Sequence, residues 1–142
     1  MRQLLNFLLL VISMTMFFSC GSVKTVSQRN LDDEPKREFR GAWIQTVGQS
    51  RYRQMNSAAM KHYLKEMVRK LDEAGINTVI FQIRPEADAF YKSDLEPWSR
   101  FLTGEQGKAP DDPDFDPLAF IINECHQRGM EFHAWLNPYR VK

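Results

Sequence analysis

Cysteine is scarce in this 142-residue chain: Cys20 and Cys125 are the two present. That excludes a disulfide-stapled scaffold. Charge of one sign is missing as well, with 19 Lys and Arg against 18 Asp and Glu. A nucleic-acid binder would carry a concentrated basic face, so nucleic acid is excluded as a partner. The three histidines, His62, His126 and His133, lack metal-ligand spacing. There is no Gly-rich phosphate cradle and no serine nucleophile elbow. The sequence therefore calls for no metal and no cofactor.

Long hydrophobic runs are also absent. The longest apolar stretch, residues 4–18, is interrupted by Asn6, Ser13 and Thr15 and is too short to span a bilayer comfortably. It follows Arg2 and stops at Ser19-Cys20-Gly21, as the apolar region of a signal peptide does. Small residues flanking a lone cysteine there resemble a bacterial lipobox, with residues 1–19 as the signal and Cys20 as the lipidated first mature residue. The alternative is a plain signal peptide with an incidental cysteine. A second or third acyl chain would anchor the protein firmly, where one alone binds marginally. Residues 20–38 carry the lipidated cysteine and a polar, aperiodic tether. The expected location is the bacterial cell envelope on a lipid anchor, in the inner or the outer membrane.

From residue 39 a rhythm of strands and helices begins. Residues 39–47 are β-rich and closed by Gly48. A helix follows, capped by Asn56 or Ser57, with Met60, Tyr63, Leu64, Met67, Val68, Leu71 and Ala74 as its apolar stripe and Gly75 past its end. Residues 77–83 are a nearly continuous apolar strand of the kind buried in parallel sheets. A loop, 86–115, leads to a second helix with Asp116 as N-cap and Pro117 at its first position. Leu118, Ile121, Ile122 and Cys125 line that helix, making Cys125 a small buried hydrophobe, and Gly129 ends it. Residues 131–139 are a third strand. The fold class is α/β with a parallel sheet, read as three strands and two helices from the start of a (β/α)8 TIM-type barrel, incomplete within residues 39–142. A minimal three-stranded domain is the alternative.

Strand parity separates the residues by role. Val79, Phe81 and Ile83 form a wholly apolar set suited to the helix-facing layer, as do Phe132, Ala134 and Leu136. Gln82 and Arg84, with Trp135 and Asn137, then point inward with their polar members at the carboxyl end of each strand. In barrel enzymes that end holds the chemistry. Trp43 and Gln45 are the matching pair on the first strand. A structural hydrogen-bond network would also explain such buried polar groups. The aromatics Trp43, Tyr91, Trp98, Trp135 and Tyr139 favour a sugar, whose rings offer apolar faces and many hydroxyls. Asp88, in the long loop, has three open roles: contacting substrate, pairing with Arg84, or capping a turn. Asp111, Asp112 and Asp114 look like a solvated turn.

Five ordered motifs then carry a resemblance: Phe39-Arg-Gly-Ala-Trp43, the run from Phe81 to Tyr91 (FQIRPEADAFY), Leu95-Glu-Pro-Trp-Ser99, Asp116-Pro-Leu118, and the run from Arg128 to Arg140. Together they resemble the amino-terminal part of the glycosyl hydrolase-like 10 family of bacterial lipoproteins and secreted proteins. The resemblance implies a (β/α)8 barrel, glycoside hydrolysis and a cell-envelope glycan as substrate, with peptide-free peptidoglycan strands as the attributed target. Arg84, Asp88, Trp135, Asn137 and Arg140 are the candidate sugar-binding residues, with Gln82, Trp43 and Tyr91 as weaker members. Glycosidases usually need two carboxylates about 5 to 9.5 Å apart. In the resembled family the candidate acids follow the fourth and later strands, past Lys142. Neither Glu86 nor Asp88 is assigned as nucleophile, and this chain alone is expected to be inactive. A non-catalytic glycan-binding lipoprotein and a gene fragment without function are the alternatives.

Overall fold

A computed structural model describes residues 38–140 of the chain. The signal segment, Cys20 and the tether up to residue 37 lie outside the described residues. Three strands, β1 (Gly41–Ile44), β2 (Thr78–Arg84) and β3 (Glu131–Leu136), form one parallel sheet in that order, with β2 in the middle. A single 3-10 turn (Tyr52–Gln54) and helix α1 (Ser57–Glu73) connect β1 to β2. A short helix α2 (Arg100–Thr103) and helix α3 (Pro117–His126) connect β2 to β3.

The helix boundaries have local causes. Asn56 caps α1 by accepting the amide of Ala59 at 2.8 Å, and Gly75 turns the chain out with φ +78°. Asp116 accepts from Leu118 at 2.9 Å and Ala119 at 3.0 Å, while Pro117 opens α3 where no amide donor is needed. Both helices bury their stripes on one face of the sheet. Met60, Leu64 and Val68 of α1 and Ile121 and Cys125 of α3 form one core with Val79, Phe81 and Ile83 of β2. The parity assigned to β2 is thus the observed one. On β3 only Phe132 reaches this core, and Ala134 and Leu136 are exposed.

The opposite face of β2 is bridged by aromatic rings reaching across from its neighbours. Phe39, just before β1, meets His133 of β3 with centroids 5.8 Å apart. Nearer the carboxyl end, Trp43 of β1 meets Trp135 of β3 at 5.2 Å, edge to face. Beneath these pairs Ile80 and Gln82 are buried. Gly41 leaves room for the first bridge: a Cβ there would stand 2.8 Å from the Phe39 ring and 3.3 Å from Ile80.

Four local features depart from the sequence-based expectation. β1 ends at Ile44, because the amides of Thr46 and Val47 turn to the side chain of Gln82 rather than to a ladder. The β2–β3 register slips by a bulge between Gln82 and Arg84, so Arg84 is opposite Leu136 and not Asn137. β3 stops at Leu136, two residues before Pro138, which has no amide to donate. The 86–115 loop is partly ordered: Ala89 and Trp98 form a parallel bridge, and Ser99 caps α2. Three parallel strands in sequence order with helices on one face are a mixed α/β arrangement compatible with part of a TIM-type barrel.

Candidate functional site

All the candidate residues but Tyr91 gather towards the carboxyl edge of the sheet, where β2 and β3 both end. Asn137, the residue after β3, is held from both sides. Its side-chain oxygen accepts the Trp135 indole N–H at 3.0 Å, and its side-chain nitrogen donates to the carbonyl of Pro85 at 3.0 Å. Its backbone amide donates to the carbonyl of Arg84, also at 3.0 Å. The end of β3 is thereby stitched to the end of β2. Trp135 is in turn braced by Trp43, which is 67% exposed. The result is a fixed pair of indoles beside an amide whose orientation is set.

Arg84 ends β2, donates to Glu96 across the long loop, and keeps a buried Nε–H without a partner among the described residues. Glu86, two residues on, is nearly buried; its carboxylate accepts from Arg100 at 3.0 Å and has Arg140 at 4.0 Å. Buried carboxylates are costly unless paired, and Glu86 has two cations. The anion is hidden while both arginines reach solvent, so the surface they present is cationic.

The remaining candidates build the frame. The amide oxygen of buried Gln82 accepts from the backbone N–H of Thr46 at 2.9 Å and of Val47 at 3.0 Å, fixing the chain after β1. The Thr46 hydroxyl donates back to the Gln82 carbonyl at 3.0 Å. Asp88 is fully buried and caps a turn: its Oδ1 accepts the Glu86 amide at 3.1 Å. Arg84 pairs with Glu96 instead of Asp88. The second carboxylate oxygen of Asp88 is buried without a partner among the described residues. Tyr91 packs against the helix-side core, as does Trp98, because the amide of Phe90 folds back to the carbonyl of Ile83 at 2.9 Å and draws this segment inward. Tyr139 is 94% exposed.

Two contributors, Thr46 and Arg100, have no sequence signal. Each is defined by a long-range bond, to Gln82 and to Glu86, that no periodicity marks. Burial pushes the Cys125 thiol up to about 11, with Arg128 pulling the other way, so the group is a protonated core side chain. Among the described residues no three His, Cys, Asp or Glu side chains come together as a metal would require. A cleft of about 300 Å³ opens apart from this cluster, between the start of α1 and the loop before α3, with Arg53, Ser57, Lys108 and Phe115 in its wall. None of the candidate residues lines it.

Two indoles, an amide and two arginines thus lie together at the carboxyl edge of a parallel α/β layer, the edge at which barrel enzymes place their chemistry. The chain belongs to the glycosyl hydrolase-like 10 family, whose model matches residues 38–142. It is 48% identical over 108 residues to glycosyl hydrolase YngK of Bacillus subtilis (strain 168), covering 74% of this chain and 21% of that protein. It is 37% identical over 118 residues to glycosyl hydrolase DigH of Escherichia coli (strain K12), covering 76% of this chain and 26% of that protein. The chain thus spans about a fifth to a quarter of the length of these curated relatives.

Proposed function

We propose that this segment forms the sugar-binding edge of an envelope glycoside hydrolase built on a (β/α)8 barrel. The substrate we infer is a cell-envelope glycan, peptidoglycan strands lacking peptides. The observation that carries this is the Trp43–Trp135–Asn137–Pro85 chain of contacts at the carboxyl edge of the sheet, in a member of a glycosyl hydrolase-like family. Sugars are bound where an apolar ring face meets a few placed polar groups. Trp135 and Trp43 supply the ring faces. Arg84, Asn137 and Arg140 supply hydroxyl or carboxylate contacts. Gln82 fixes the chain after β1 and Asp88 the turn that carries Glu86, while Tyr91 belongs to the core and is left out of the sugar contacts.

No catalytic carboxylate is assigned to residues 38–140. Glu86 and Glu96 are engaged by arginines and Asp88 is buried in a turn, so the role of this segment is to bind and orient the glycan. The protein acts in the bacterial cell envelope, held to a membrane through lipid on Cys20. The experiment is to measure hydrolysis of peptide-free glycan strands by the full-length protein, meaning this segment within a chain of the length of its relatives, and by its Arg84→Ala and Asn137→Ala variants. Loss of activity with the melting temperature retained supports the reading. Full activity in both variants contradicts it.

A further inference from the structure

We propose that Glu86 is a positioning residue that aims Arg140 at the glycan, an inference resting on Arg140 being a sugar contact. Glu86 stands at the centre of the carboxyl edge, on the loop leaving β2, with its backbone fixed by the bond from its amide to Asp88. Its carboxylate serves two guanidinium groups that depend on it unequally. Arg100 is held twice, by the 3.0 Å bond to Glu86 and by the face of Phe101, with the guanidinium carbon 4.9 Å from the ring centroid. Arg140 is half exposed and lies on the turn after β3. Glu86, at 4.0 Å, is the acid within ion-pair range of it among the described residues.

Attraction between charges at that separation, without a hydrogen bond, depends on the negative charge and on its distance rather than on a bonding geometry. Neutralising Glu86 with an isostere therefore leaves Arg100 with a bond and an aromatic face. Arg140 loses the one acid within ion-pair range among the described residues. A long cationic side chain released in this way has more rotamers to surrender when it meets a ligand, and its affinity falls accordingly. The effect belongs to binding, since Glu86 itself presents almost no surface to a substrate.

The test is made in the full-length protein with peptide-free peptidoglycan glycan strands as the probe, measuring Kd by calorimetry and kcat separately. Glu86→Gln is expected to raise Kd about threefold, as suits a half-exposed ion pair, while kcat stays within about 1.5-fold. In an Arg140→Ala background the same substitution should add nothing, because the residue it acts through is gone. Equal effects of Glu86→Gln with and without Arg140 would overturn the proposal, as would a fall in kcat at unchanged Kd. If Arg140→Ala weakens binding and Glu86→Gln does not, the positioning role alone falls. If Arg140→Ala binds like the parent, the sugar-contact reading of Arg140 falls too. Should Glu86→Gln fail to fold, Glu86→Asp carries the test: it keeps the buried charge but withdraws it from Arg140, and an unchanged Kd contradicts the proposal.

Discussion

The indole N–H of Trp135 donates to the side-chain oxygen of Asn137 at 3.0 Å, two residues further along the chain. That bond makes an aromatic face and an amide one rigid unit, because the other end of the amide is committed to the carbonyl of Pro85. Trp135→Phe keeps a ring face and removes the donor, so the Asn137 amide is held only by its bond to the Pro85 carbonyl. Glycan affinity should fall several-fold in Trp135→Phe and further in Trp135→Ala, which also loses stacking. Calorimetric titration with glycan strands checks this ordering, and equal affinities for parent and Trp135→Phe would count against it.

Gln82 answers differently, because its oxygen collects two backbone amides. Gln82→Ala leaves the buried Thr46 N–H and the half-buried Val47 N–H without their acceptor, at a cost of about 2 kcal/mol. Chemical denaturation should show that loss. A variant as stable as the parent would mean that the loop after β1 has another acceptor.

Cys125 gives a pH-dependent prediction. Burial raises its thiol pKa from 9.0 to about 11 in the folded protein, so the folded state holds this proton more tightly than the unfolded one. The associated stability is complete below about pH 9 and is lost as pH rises towards about 11. In a Cys20→Ala background, a thiol reagent at neutral pH should label Cys125 only after denaturation. Rapid labelling of the native protein would contradict a buried thiol.

Lipidation of Cys20 is tested outside the described residues. Cells given a palmitate analogue should incorporate label into the parent protein and none into Cys20→Ala. Label that persists in the variant would place the lipid elsewhere or remove it from the account.

Much of the fold was legible in the sequence because its signals are local. Asp116 caps one long helix where the sequence put it, Asn56, one of two candidates, caps the other, and the apolar run of β2 marked a strand buried on both faces. Alternation in β2 also told its core face from its polar face. What escaped depends on partners far apart in the chain. The bulge between Gln82 and Arg84 shifts the register against β3, and no single-strand pattern records a pairing. Glu96 and Arg100 come from the long loop to neutralise Arg84 and Glu86, and their sequence positions carry no period. Tyr91 resembled a cleft aromatic by composition, yet the fold-back of Phe90 onto Ile83 turned the segment to the core.

The central claim is that this carboxyl edge binds a glycan for cleavage, and product analysis addresses it most directly. Peptide-free peptidoglycan strands are incubated with the full-length protein and new reducing ends are counted, in parallel with Asn137→Ala. The account predicts reducing ends that accumulate with the parent protein and drop by about tenfold or more in the variant, whose fold is intact. No reducing ends from the parent, or equal yields from both proteins, would contradict it.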